Sequence, residues 1–221
     1  MSNNLLIVES KNDKYFIESL VEYLNLSIEI DSPICNINDY ECLKGLDNLE
    51  KKLDELPKKI FSQNINKVGI ILDADDKGIE KRLEFINEKL KVICSDVQLE
   101  AINDFKNSSE LDTQIGCYIM NVSGNGELET VLKAIASKDK TYADCLDAWK
   151  NCLISKGKTI KDKDFDKFWV NNYLRFDTCN SGERGQADRK CRGEKAIKKD
   201  IWDFTNPILD DLKTFLKMLA K

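Results

Sequence analysis

The chain has 221 residues, 33% of them charged and 42% hydrophobic, with 34 Lys and Arg set against 39 Asp and Glu for a net charge of −5. That balance is typical of a globular protein able to bury a core, and no apolar run approaches the length needed to cross a bilayer. Histidine is absent, which excludes Ser-His-Asp and Cys-His catalysis, His-ligated zinc and imidazole acid–base chemistry.

No Gly-x-x-x-x-Gly-Lys-Ser/Thr occurs, so the chain brings no P-loop. The N-terminus lacks a basic segment followed by an apolar stretch, and the expected compartment is the cytosol with no membrane association. The eight cysteines are scattered with no Cys-x-x-Cys pair, so free thiols are the default and zinc is not expected. Charge divides unevenly. Residues 1–136 hold 15 basic and 25 acidic side chains, and residues 137–221 hold 19 and 14. A polyanion would meet the later part, or reach the earlier part through metal.

In chain order, Leu5 to Val8 reads as a buried strand that ends at Glu9. Ser10 is a candidate N-cap, and Tyr15, Phe16, Leu20, Val21 and Leu24 follow at helical spacing. Asp13, in the first turn, either answers the helix dipole or faces the same point as Glu9. Ser27 to Ile30 reads as a short strand, and Ile34 to Ile37 as a strand or a loop. Asp47 to Gln63 is predicted helical, with Leu49, Leu53, Leu56, Ile60 and Phe61 inward and a kink or break at Pro57.

Lys67 to Asp76 is the central element. Val68 to Leu72 has the composition of a strand covered on both faces, and Asp73, Asp75 and Asp76 crowd its end. Carboxylates this close repel unless a cation neutralises them, which suggests a hard divalent metal held by oxygen, Mg²⁺ or Mn²⁺. Asp75 or Asp76 could equally cap the helix predicted from Lys77 to Leu90.

Val97 to Phe105 and Ile115 to Val122 are the next strand candidates. The second leads into a glycine turn from Ser123, with Glu127 and Glu129 opening another helix. Those acids either answer the dipole or join the strand-end group. Tyr142 to Ile154 reads as a helix with Leu146, Trp149 and Leu153 inward, Cys145 and Cys152 sharing its core face. Asp164 to Phe176 reads as another, carrying Phe165, Phe168, Trp169, Val170 and Tyr173. The basic stretch 177–199, with Arg184, Arg189, Lys195 and Lys198, is a solvated loop or a phosphate contact. Ile201 to Phe204 reads as an anchor, and Pro207 opens a final helix.

Alternation of strands and helices implies an α/β fold, with a mostly parallel sheet, helices on both faces and a helical C-terminal extension. The three acidic strand ends would share one rim. The expected organisation is a metal-binding core over 1–136, a helical insertion with the basic loop over 137–200, and a C-terminal anchor and helix over 201–221.

Val8-Glu9-Ser10-Lys11-Asn12-Asp13, Leu72-Asp73-Ala74-Asp75 and the turn with Ser123, Gly124, Glu127 and Glu129 resemble the motifs of the Toprim domain, closest to its OLD-nuclease branch. Trp202-Asp203-Phe204 with Pro207 also looks like a small family of stand-alone bacterial Toprim-like proteins. The likeness covers residues 1–136 well and the rest loosely. It implies a Mg²⁺- or Mn²⁺-dependent nuclease. In that scheme Asp73 and Asp75 bind a first metal, and Glu9 shares it or acts as acid/base. Asp13, Glu127 and Glu129 help hold a second metal, and Arg184, Lys195 or Lys198 meets a phosphate. Ser10 stands where the family has Gly, and the ATPase carried by OLD nucleases is missing, so any nucleotide-driven gating would come from a partner. The alternative is a non-catalytic metal- or nucleic-acid-binding subunit of a defence or repair assembly.

Overall fold

The computed structural model describes residues 3–35, 47–185 and 190–221. Among them five strands form one sheet: β1 (Asn4–Val8), β2 (Glu29–Ile30), β3 (Lys67–Asp73), β4 (Phe105–Ser108) and β5 (Thr113–Met120), in the order β2-β1-β3-β5-β4. All neighbours are parallel except β4, which runs antiparallel to β5 at the edge. Leu5, Ile7, Val68, Ile70, Leu72, Ile115, Cys117 and Ile119 point to one face, and Leu6, Val8, Ile71, Tyr118 and Met120 to the other. This period of two with apolar residues on both sides is why the strands read as continuous apolar runs.

The first face is covered by α2 (Asp47–Gln63) and α3 (Gly78–Leu90). The second is covered by α1 (Lys11–Tyr23), α4 (Leu128–Ile135), α6 (Asp162–Asn172) and the last helix, α9 (Asp210–Ala220). The chain thus forms the expected three-layer α/β fold with C-terminal helices. Between these lie α5 (Thr141–Ser155), a π-helical turn at Tyr173–Asp177, and the short helices α7 (Ser181–Arg184) and α8 (Glu194–Ile197). α5 stops at Gly157, whose φ of +69° suits a residue without a Cβ. The anchor is present as well: Asp203 N–H donates to Ile135 O, and the Trp202 indole donates to Ile197 O at 2.7 Å.

Gly69 lets α9 lie close on β3. A Cβ there would meet Leu219 at 2.9 Å, with Leu6 and Phe215 each at 3.0 Å. Gly69→Val is expected to cost about 1–3 kcal/mol of stability by overpacking, measured as a lower urea midpoint.

Several expectations are corrected. Residues 97–104 are not a strand, and the strand in this region, β4, begins only at Phe105. Val97 and Leu99 are buried, but Leu99 pairs its backbone with the Asn87 side chain, both bonds 2.8 Å, so the stretch lies against α3 outside the sheet. Of the two readings of Ile34 to Ile37, Ile34 and Cys35 take the loop, and Asn36 and Ile37 lie outside the described residues. α2 runs through Pro57 without a break, while Phe61 is 89% exposed, one position beyond the buried stripe ending at Ile60. Trp149 is exposed rather than inward, and Cys145 and Cys152 are exposed rather than packed in a core. Cys179 and Cys191, with Cα atoms 5.9 Å apart, form a disulfide, and Cys35 is disulfide-bonded too. No helix among the described residues is long and apolar enough to cross a membrane.

Candidate functional site

Parallel strands deliver their C-terminal ends to one rim of the sheet, where α/β folds bind ligands. Glu9 follows β1, Asp73 closes β3, and the turn after β5 leads to Glu127 and Glu129 at the start of α4. Two reciprocal hydrogen bonds fix the turn against the central strand: Asp75 N–H donates to Gly126 O at 2.7 Å, and Gly126 N–H to Asp75 O at 3.0 Å. Asp75 does so with φ at +50°, a left-handed conformation that Asp tolerates. It does not cap α3. Its carboxylate is ion-paired with Arg82, a buried guanidinium on that helix.

Asp13 caps its own helix and lies near enough to Glu9 for its charge to raise that carboxyl's pKa. One Asp13 oxygen accepts from Ser10 N–H at 2.8 Å while the Ser10 hydroxyl accepts from Asp13 N–H at 3.2 Å, a reciprocal cap that opens α1. Its other oxygen, Oδ1, is buried without a partner. Glu9 Oε2 accepts from Asp73 N–H at 3.2 Å, joining the ends of β1 and β3. Asp73 Oδ1 and Glu127 Oε1 are also buried without partners. The second Glu127 oxygen pairs with Lys167 Nζ of α6 at 3.1 Å.

The six acids act on one another. Burial, then the charge of Asp13, pushes Glu9 up to about 7. Burial and the charges of Asp13, Glu9, Glu129 and Glu127 hold Asp73 well above the carboxylate range. Burial and Glu127 push Glu129 up to about 8. Asp13 and Glu127 are raised by burial, partly offset by the Ser10 hydrogen bonds and by Lys167 respectively. Burial opposes the charge on Lys167, but Glu127 and Glu129 outweigh it and keep the ammonium above its ordinary pKa. Glu9, Asp13, Asp73, Asp75, Glu127 and Glu129 therefore form one electrostatic unit, as the strand-end pattern suggested.

The expected phosphate ligands stand elsewhere. Arg184 donates to Cys179 O at 2.7 Å and stacks over Phe176, securing the disulfide loop. Lys198 bridges Glu18 of α1 and Glu194. Lys195 sits in α8, and Arg189 lies outside the described residues. The cations that face the acids are Arg82 and Lys167, with Lys163 close enough to lower the Glu127 pKa. None of these three stood out in the sequence. Lys167 had a weak signal: it shares a helical face with Lys163 and lies beside the apolar stripe of Phe165 and Trp169.

Among the described residues, no group of three or more Asp, Glu or Cys side chains stands arranged to hold a metal ion. Arg82 and Lys167 occupy oxygens that such a group would use. The donor chemistry nevertheless fits a hard cation: the cluster's acids offer carboxylate oxygens, and three of those oxygens have no hydrogen-bond donor.

Fold and site together define an α/β protein whose parallel sheet gathers buried carboxylates at its C-terminal rim. The family model described as Protein of unknown function (DUF3226) matches residues 3–221, and the chain belongs to that family. No curated protein and no solved structure matches it.

Proposed function

We propose that the protein is a divalent-metal-dependent phosphodiester hydrolase acting on nucleic acid, as its resemblance to Toprim domains also implies. The observation that carries this reading is the set of orphaned buried oxygens, Asp13 Oδ1, Asp73 Oδ1 and Glu127 Oε1, inside a six-carboxylate cluster. A buried polar atom without a partner costs on the order of 1–3 kcal/mol, and a bound cation removes that cost. Asp73 and Asp75 with Glu9 would hold one Mg²⁺ or Mn²⁺, and Asp13, Glu127 and Glu129 would help hold a second. Such ions polarise a phosphodiester and make bound water acidic.

The chain's own groups do the rest. Glu9 either shares the first metal or, with its carboxyl raised to about 7, exchanges a proton near neutral pH. Lys167 is charged and needs only to leave Glu127 to meet a phosphate oxygen.

The second reading is a non-catalytic subunit of a larger assembly. It is favoured by the ion pairs of Arg82 and Lys167, which already neutralise two of the acids without metal. Titration calorimetry with Mn²⁺, followed by cleavage assays on single- and double-stranded oligonucleotides, separates the two. The hydrolase reading expects saturable binding and cleavage, both lost in Asp73→Asn and in Glu9→Gln, with Lys167→Met binding Mn²⁺ but cutting at least tenfold more slowly. Mn²⁺ binding without cleavage would favour the subunit reading, and cleavage unchanged in Asp73→Asn would sink the hydrolase assignment.

A further inference from the structure

The helical pair α5 and α6 carries an apolar face that the core does not use. On α5 the only buried residue is Ala143, while Tyr142, Cys145, Trp149 and Cys152 recur at helical spacing on an exposed side. Trp149 is 40% exposed and Phe168, from α6, is 41% exposed, although their rings touch edge-on with centroids 5.3 Å apart. The other two tryptophans, Trp169 and Trp202, are buried. A paired aromatic cluster left in solvent marks a contact surface.

The charges around it indicate what that surface takes. Lys156, Lys158, Lys161 and Lys163 fall in the connection between the helices and the first turn of α6. Among the described residues their side chains make no ion pair. The neighbouring acids Asp162 and Asp166 are already committed, to Lys150 at 2.8 Å and Lys133 at 2.9 Å. Asp164 and Asp147 remain as opposing charges, which leaves the lysines in excess. Phe168 directly follows Lys167, the residue that reaches the acidic site. Aromatic rings on two packed helices whose connection is rich in lysine match a single strand, whose unpaired bases stack on rings while its backbone follows the cations. A duplex offers no free base face to such a pair.

We infer that Trp149 and Phe168 form a base-stacking platform for single-stranded nucleic acid, with Lys156 to Lys163 tracking its phosphates. The inference rests on the hydrolase reading for its substrate class and is tested apart from it. The probe is a deoxythymidine 12-mer added to the full chain in EDTA, followed by intrinsic fluorescence, because Trp149 is the exposed indole. Quenching should saturate for the single strand and be weaker for a duplex of equal length. Trp149→Ala should abolish the signal, and Phe168→Ala should weaken binding about tenfold. Lys158→Ala with Lys161→Ala should reduce the salt slope of log affinity by about 1.4. Both aromatic side chains are exposed, so an unchanged circular-dichroism melt is expected of each variant, and Phe168→Ala read by anisotropy of a labelled strand serves where the indole signal is lost. Binding that is equal in wild type, Trp149→Ala and Phe168→Ala overturns the inference and leaves the face to a protein partner. Platform-dependent binding with no Mn²⁺-dependent cleavage sinks the hydrolase reading and leaves the platform standing.

Discussion

Asp73→Asn is expected to make the metal-free protein more stable and, at the same time, unable to gain stability from Mn²⁺. Asp73 carries a buried oxygen with no donor and feels the charges of Asp13, Glu9, Glu129 and Glu127. An amide of the same shape removes the charge and supplies two N–H donors to a neighbourhood full of acceptors. A gain of about 1–3 kcal/mol in EDTA is the scale of relieving one such buried group. With Mn²⁺ at a hundredfold over its dissociation constant, the wild type should gain about 2.7 kcal/mol by mass action, and the variant nothing. Urea melts with and without metal provide all four numbers. A variant less stable than wild type in EDTA would mean that the carboxylate is satisfied after all and the site has no use for a cation.

The second large effect is on pH. Glu9 is raised to about 7 and Glu129 to about 8, from an ordinary value of 4.5, and Asp73 is raised as well. Between the ordinary and the raised values the folded protein holds more protons than the unfolded chain, so stability falls as pH rises across that window. The contribution is fully present below about 4.5 and lost once Glu9 and Glu129 ionise in the fold, near 7 and 8. The Glu9 shift alone corresponds to about 3 kcal/mol. Thermal melts in EDTA should therefore drop from pH 5.5 to pH 8.5, opposite to a protein whose carboxylates are held in salt bridges. Added Mn²⁺ should remove the drop, because deprotonation then favours binding. A melting temperature that rises with pH in EDTA would contradict the buried-acid electrostatics.

The parts of the site that the chain states locally were legible. A β-branched run stopping at an acid is a local signal, and Glu9 follows and Asp73 closes a strand that has it, whereas Glu127 stands beyond a glycine turn after β5. The Ser10–Asp13 cap is local too, since its two partners are three residues apart. What the sequence could not place were the countercharges. Arg82 and Lys167 sit on amphipathic helices where most lysines and arginines face water, and only the packing of α3 and α6 selects them. Arg184 and Lys198 misled for the same reason, since basic residues near one another in sequence are held by a disulfide loop and by Glu18 in space. Val97 to Phe105 misled differently. Burial makes a stretch apolar whether or not it joins the ladder, and the Asn87 side chain had taken the strand's place as hydrogen-bond partner. Trp149 and Phe168 fit a helical stripe, but a stripe does not say whether it meets the core or a ligand.

The position of α9 bears on how the chain comes to be folded during synthesis. Phe215 and Leu219 close over Gly69, and Lys67 Nζ donates to Met218 O at 2.9 Å, so the cover of the central strand is made long after the strand itself. Until that helix docks, the part of β3 around Gly69 stays open to water, while α1, α4 and α6 cover the rest of that face. An apolar strip left open in this way is where partly folded chains associate. The strands and helix starts that gather the acids at the rim all precede α9 in the chain.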